Sequence, residues 1–300
     1  MANSPHLCAD EADYARMRAL LVATYREGGE PVYCTVGDLD WWRFTSSDPD
    51  AIRHAALWMD DDGQVVGWAW PQGNQVDMVS HPQHRNVEDE MLAWAEQRVH
   101  EQAAADQRVC LRIWSDTGDV ARNALLQQRG YQRADEFFVY HSYALDQPVL
   151  APRLPPGYTL RHVVGEDDLE RRVAVHRDAF APSKMTIAKH RAVMQSPTYR
   201  PELDLVVVAP DDSFAAYCIV WFDAENRMGL FEPVGCHSAH RRRGLGMAVL
   251  HEGMRRLQQL GAHTASVLSL RDDSAGALLY RAAGFHEVDR NYAWEKQLSD

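Results

Sequence analysis

The 300-residue chain is 46% hydrophobic and 25% charged, an ordinary globular balance at a length that accommodates two domains with separate cores. Its formal charge of -12 has the wrong sign for neutralising a phosphate backbone, which argues against nucleic acid and favours a cationic small-molecule partner. Five scattered cysteines without metal or redox spacing, and no apolar stretch of membrane-spanning length, point to a cytoplasmic protein with no membrane partner.

In chain order, the first half predicts strands over 52–59 and 65–71, joined at the turn Asp61-Asp62-Gly63, and a third strand over 75–80. An amphipathic helix over 87–103, a strand over 108–114, a helix ending at Gly130-Tyr131 and a strand-like run over 137–143 follow. The stretch QPVLAPRLPPG, from Gln147 to Gly157, has four prolines and one glycine, can continue neither a helix nor a central strand, and reads as a linker over 148–157. The second half repeats the order: strands over 203–209 and 214–223 joined at Asp211-Asp212-Ser213, a strand over 228–236, a helix over 244–260, a strand over 264–270, a helix ending at Gly284-Phe285, and a last run over 292–297. This self-similarity predicts two tandem α/β (α+β) domains, 1–147 and 158–300, each a mixed, mostly antiparallel twisted sheet flanked by helices.

The segment from Cys236 through His237-Ser238-Ala239-His240-Arg241-Arg242-Arg243-Gly244-Leu245 to Gly246 lies between an apolar strand and a long helix. A helix N-terminus there presents unpaired N–H groups and a favourable dipole to an anion, and three arginines add charge. Gly244 and Gly246 are expected to let a pyrophosphate approach the main chain. The alternative is a solvated basic turn.

These residues resemble the GNAT superfamily of N-acetyltransferases, whose signature R/Q-x-x-G-x-G/A is filled by Arg241-Arg242-Arg243-Gly244-Leu245-Gly246. The run from Asp273 to Phe285 is similar to the family's N-x-x-A-x-x-L-Y-x-x-x-G-F helix, with Asp273 where asparagine is usual and the small residue displaced. The resemblance implies that the second half binds acetyl-CoA, with Arg241, Arg242, Arg243, Gly244, Leu245, Gly246 and Met247 at the pyrophosphate and Val234, Cys236, Asp273 and Tyr280 along the arm. It also implies a fourth strand that splays from the fifth, and Pro233 and Gly235 predict that this strand is irregular. The N–H of Val234 or Cys236 would polarise the thioester carbonyl.

Acyl transfer to an amine requires a base, because an alkylammonium with a pKa near 10 is no nucleophile at neutral pH, and an acid for the departing thiolate. Glu232 is the candidate base, a role the family also fills through water, and two-residue periodicity sets it in phase with Val234 and Cys236. Tyr280 is the candidate acid. Cys236 has no assignable histidine and acid partners and reads as a strand residue.

Aligning His84-Arg85 with His240-Arg241 sets Glu88 and Glu90 opposite Gly244 and Gly246, so two carboxylates are expected in the first copy's phosphate site. Val76 falls opposite Glu232, and Leu126 opposite Tyr280. The first copy is therefore expected to keep the fold without binding coenzyme A. A tandem pair with one degenerate copy resembles the arrangement of mycothiol synthase and related actinobacterial acetyltransferases.

The histidines show no metal-binding pattern, Asp60-Asp61-Asp62-Gly63 lacks the spacing of a calcium loop, and Trp41, Trp42, Trp68 and Trp70 read as packing residues. The leading function is acetyl transfer to the amine of a small molecule by direct attack in a ternary complex, in a monomer or homodimer. A non-catalytic acyl-CoA sensor and a peptide or protein N-acetyltransferase are the alternatives. By family analogy, residues 171–199, with Phe180, Lys184 and His190, cover the acceptor side.

Overall fold

The computed structural model describes residues 5–30, 33–102 and 109–298. The chain divides into two compact units, neither continuous in sequence: Met1–Thr35, Ser47–Val139 and Val288–Asp300 form the first, and Val36–Ser46 with Tyr140–Glu287 form the second. This differs from a cut at 148–157. The second unit contains a helix from the first half of the sequence, and the first unit contains the C-terminal strand.

The chain begins with β1 (His6–Leu7) and α1 (Glu11–Gly28), whose N-cap Asp10 accepts from the N–H groups of Ala12 and Asp13. Next is α2 (Val36–Thr45), which belongs to the second unit. The first unit continues with β2 (Ala56–Met59), β3 (Val65–Gln72), β4 (Gln75–Ser80), α3 (Glu88–Gln102), β5 (Val109–Asp116), α4 (Val120–Gln128) and β6 (Gln132–Ala144) as far as Val139. The expected helix end at Ala103 and strand start at Arg108 lie outside the described residues. The strand expected from 52 is instead a 3-10 turn, Ala51–His54, whose first carbonyl accepts from Trp70 Nε1 at 2.9 Å.

The second unit adds β7 (Thr159–His162), α5 (Leu169–Ala179), α6 (Ile187–Val193), β8 (Asp204–Val208), β9 (Phe214–Asp223), β10 (Met228–Cys236), α7 (Leu245–Gln259), β11 (Thr264–Leu270) and α8 (Ala275–Ala282). The last strand, β12 (His286–Leu298), lies in the first unit from Val288 onward. Pro201 opens a 3-10 turn that delays β8 to Asp204. The sequence predicts no helix at α5 or α6, because both are short and interleave polar with apolar residues.

Each unit is a mixed, mostly antiparallel sheet between helices, as expected. In the first, the order β1-β2-β3-β4-β5-β12 is antiparallel except at β4/β5; in the second, β11-β10-β9-β8-β7 is antiparallel except at β10/β11. Strand alternation divides the second unit's core into two faces. Leu205, Val207, Cys218, Val220 and Phe231 meet Val249, Leu250, Met254 and Leu257 of α7, while Ile219, Trp221 and Leu230 meet Val193 of α6 and Trp41 and Phe44 of α2. The predicted linker is part of this unit. Val149 and Leu154 pack against the α7-side core, and Gln258 Nε2 donates to the carbonyls of Gln147 at 2.6 Å and Leu145 at 3.1 Å.

Candidate active site

The parallel ladder between β10 and β11 runs only from Met228↔Thr264 to Leu230↔Ser266, although β10 continues to Cys236 and β11 to Leu270. Beyond Leu230 the strands part, forming the expected splay. On its other side β10 stays paired with β9, but Phe231 faces Val220 and Val234 faces Cys218, so one extra residue bulges between them. The bulge contains Glu232 and Pro233, whose shared peptide is cis. It also interrupts the two-residue alternation that was expected to set Glu232 in phase with Val234. Phe231, Val234 and Cys236 pack on the α7-side cluster. The N–H of His237 donates to Ala215 O on β9 at 2.9 Å, so by antiparallel alternation the N–H groups of Val234 and Cys236 point to the β11 side, where the ladder has ended.

Glu232 is half-buried, and its carboxyl has no hydrogen-bond or ion-pair partner among the described residues. Burial, reinforced by the negative charge of Asp38 on α2, pushes its pKa up to about 8. Tyr280, on α8, is 7% exposed, with its ring 5.9 Å from His141. Its hydroxyl also has no hydrogen-bond partner among the described residues. Burial, followed by the charge of Glu232, raises its pKa. The fold thus brings Glu232 and Tyr280 into electrostatic range across the splay. Cys236 is a thiol whose pKa burial raises. Its Sγ donates to His237 O at 3.7 Å.

The loop after β10 has a distinctive backbone. Arg242 and Gly244 have left-handed φ values of 64° and 78°, and Gly244 caps α7 without a side-chain hydrogen bond. No acceptor among the described residues engages the N–H of Arg242, Arg243, Gly244, Leu245 or Gly246. The amides at this helix N-terminus are suited to an anion. Arg242 and Arg243 are exposed, and Arg241 Nε reaches Cys236 O at 3.4 Å.

The two glycines play different parts. A Cβ on Gly244 would meet nothing within 4 Å, so glycine serves the left-handed turn there. A Cβ on Gly246 would lie 2.9 Å from Leu279 Cδ2, so this glycine is needed for α8 to pack against α7. Gly235 likewise does not mark the bulge. Its Cβ would meet the Tyr217 ring at 2.5 Å and Ala179 at 2.9 Å, so it lets α5 pack on β10. Asp273 is exposed and accepts from Arg271 at 3.4 Å, and Ser274 caps α8 by accepting from Ala277 N. Asp273 is thus not drawn to the loop. Met247 is half-buried one turn into α7.

On the α5 face, several residues not singled out from sequence form one network. Fully buried Arg172 donates from Nε to Asp204 Oδ1 at 2.9 Å and stacks on the Tyr217 ring, with Cζ 3.7 Å from its centroid. Tyr217 Oη lies 2.6 Å from His176 Nδ1, and His176 stacks on Phe180 at 5.1 Å and meets Trp41 at 5.9 Å. Burial and then the charge of Arg172 depress the His176 pKa to about 4, so its imidazole is neutral at physiological pH. His190, from the segment assigned to the acceptor side, lies 3.2 Å from Asp204 Oδ2 and is buried, whereas Phe180 is exposed. At the end of α5, Asp178 accepts from Ser238 N at 2.5 Å and Ser238 Oγ at 2.8 Å, fixing the turn that leads to the arginines.

The first unit repeats this architecture with different chemistry. Its parallel ladder also stops early, at Val76↔Ile113. The first residue of α3, Glu88, is 2% exposed; its carboxylate accepts from Arg122 Nη2 at 2.7 Å, from Arg85 and from Ser80 Oγ. Although burial alone would raise its pKa, Arg122 and then Arg85 hold it down at about 2. Glu90 takes no part, contrary to the expected pair of carboxylates; it is half-buried and outside the network. Arg122 also donates to Met78 O at 3.3 Å, filling part of the space opened beside β4. Val76 and Leu126 are fully buried apolar core residues.

No protein-family model matches the chain. Proteins named mycothiol acetyltransferase are similar along most of its length. The one from Saccharomonospora viridis is 28% identical over 95% of this chain and 97% of its own, and that from Streptomyces coelicolor is 26% identical over 92% and 90%. The one from Kineococcus radiotolerans is 29% identical over 68% and 69%. Among solved structures, a GCN5-related N-acetyltransferase from Sphaerobacter thermophilus superposes with a TM-score of 0.70 at 22% identity, covering 99% of this chain and 96% of its own. A tandem GNAT protein of the clavulanic acid biosynthesis pathway gives 0.72 at 18%, covering 99% and 98%.

The chain has the tandem GNAT fold. Its similarity to proteins named acetyltransferases supports acetyl transfer to an amine, with acetyl-CoA as donor. Among its described residues the chain has no helix long and apolar enough to cross a membrane.

Proposed function

We propose that the second unit alone carries catalysis, joining acetyl-CoA to a small, cationic primary amine in a ternary complex. The observation that carries this reading is the isolated Glu232 carboxyl, at the mouth of a splay whose other end has five free amides. Arg242 to Gly246 would hold the pyrophosphate through their N–H groups, helped by the arginine side chains, and the amides of Val234 and Cys236 would receive the arm and the thioester oxygen. The coenzyme supplies an acyl thioester and a thiolate leaving group. Glu232 takes the proton that frees the amine lone pair, and the Tyr280 phenol protonates the departing sulfur.

The Asp38 and Glu232 carboxylates favour an ammonium-bearing acceptor, in line with the chain's charge of -12. Similarity to the mycothiol acetyltransferases makes the desacetyl precursor of mycothiol the first amine to test. In the first unit, Glu88 with Arg85 and Arg122 supports a site closed to coenzyme A. Action in a reducing cytoplasm, as a monomer or homodimer, completes this reading. Thiol release from acetyl-CoA over an amine panel tests the reading. Wild-type protein is expected to turn over at least one small amine, and Glu232→Gln to lose the pH dependence of kcat/KM with a rate drop of about 10²–10⁴. Tight coenzyme binding with no turnover would instead support a sensor.

A further inference from the structure

Beside the amide loop lies a cleft of about 730 Å³, within the ~300–1,000 Å³ typical of small-molecule sites. Its lining comes from the proline-rich segment that joins the two halves of the sequence, through Leu150, Arg153 and Leu154, and from Arg243 in the loop with Met247 and His251 on α7. The proline-rich segment is anchored at both ends. Gln258 holds the carbonyls of Leu145 and Gln147, and Tyr158 Oη meets His240 Nδ1 at 2.9 Å, tying the far end to the turn before the arginines.

The lining combines two chemistries. Leu150, 70% exposed, with Leu154 and Met247, offers apolar surface to a flat ring, while Arg153 and Arg243 are exposed and have no ion-pair or hydrogen-bond partner among the described residues. Coenzyme A has a chemically matching end. A pyrophosphate on residues 242–246 continues in one direction as the arm, which must enter the splay to bring the thioester to Glu232, and in the other as adenosine 3′-phosphate. This cleft reaches Arg243 and Gly244 and is therefore open to that second end.

We propose that the segment Leu150–Pro155 is a coenzyme-reading element: its apolar residues cover the adenine, and Arg153, with Arg243 of the loop, binds the 3′-phosphate. The inference rests on the reading that the second unit binds acetyl-CoA. It makes the chain select 3′-phosphorylated donors at a position outside the family motif.

The test compares acetyl-CoA with acetyl-dephospho-CoA in steady-state kinetics, and CoA with dephospho-CoA by titration calorimetry. Wild-type protein is expected to show a KM for the dephospho donor higher by about tenfold or more, the range for a charge-assisted hydrogen bond, at similar kcat. Arg153→Ala is expected to raise KM for acetyl-CoA by about the same factor and bring the ratio toward one, with kcat and thermal stability unchanged because the side chain is exposed. Arg153→Lys should keep part of the preference, and Leu150→Asp should weaken both donors without changing their ratio. Equal use of the two donors by wild type, or a full preference retained in Arg153→Ala, would overturn the inference while leaving coenzyme binding intact. Failure to bind either compound would instead refute the underlying assignment, and this element with it.

Discussion

Glu232 owes its properties to two causes that can be separated: removal of its carboxyl from water, and the like charge of Asp38. A carboxyl with a pKa of about 8 is mostly protonated at neutral pH, so kcat/KM is expected to rise through about pH 8 and level off above it. Removing the negative charge in Asp38→Asn lowers the Glu232 pKa, because only the burial contribution remains, and the rising limb should move to lower pH. A pH–rate profile unchanged in Asp38→Asn would dissociate the two groups. Tyr280→Phe leaves the buried ring in place and deletes the hydroxyl. It should lower kcat by about 10² or more with little effect on the KM for acetyl-CoA, as expected for an acid that acts on the leaving group.

At the scale of elements, the β10-to-α7 turn depends on two glycines for unrelated reasons. Gly244→Ala forces a Cβ into the left-handed region at about 1–2 kcal/mol and should distort the amide array, raising the KM for acetyl-CoA. Gly246→Ala keeps an allowed helical backbone but pushes on Leu279, so it should destabilise the protein, and Leu279→Ala should relieve that effect in the double variant. A denaturation series over the four proteins measures this coupling; additive effects would contradict it. The presence of both glycines was legible in the sequence, since a motif is local, but the packing role of Gly246 depends on a residue on another helix. Asp38 was less legible still, because nothing in Val36–Thr45 indicates that this helix lies in the second unit near residue 232. The bulge at Glu232 was anticipated only as irregularity. Its register is set by pairing with β9, and single-strand periodicity cannot supply it.

At the scale of the molecule, the two units use one design in two ways: one helix N-terminus is left open with free amides, and the other is occupied internally by Glu88. Breaking the internal ion pair in Glu88→Ala leaves buried Arg122 with Met78 O and a 3.9 Å contact to Asp119 among its remaining partners, and is expected to destabilise by about 3 kcal/mol without changing kcat at temperatures where the protein remains folded. Glu88 has a folded pKa of about 2 against an ordinary 4.5, so its contribution is full above about pH 4.5 and is lost as the pH falls through about 2. Urea denaturation of wild type and Glu88→Gln at several pH values would show this as a gap that closes on acidification. Glu88 itself was found by aligning the two halves, whereas Arg122 was not, because an arginine within α4 looks like any other surface residue until β4 and β5 separate beside it.

The membership of α2 in the second unit restricts how this protein can be dissected or recombined. A fragment beginning at the proline-rich segment would lack Asp40, whose carboxylate accepts from the N–H of Thr198 at 2.9 Å and from its hydroxyl at 2.6 Å, and would leave Trp221 and Leu230 uncovered by Trp41 and Phe44. It would also end in a strand whose partner, β5, had been removed. Although the duplication is visible in the sequence, the halves have exchanged pieces and are no longer separable modules, so a domain swap with another tandem enzyme has to carry residues 36–46 along with the catalytic half.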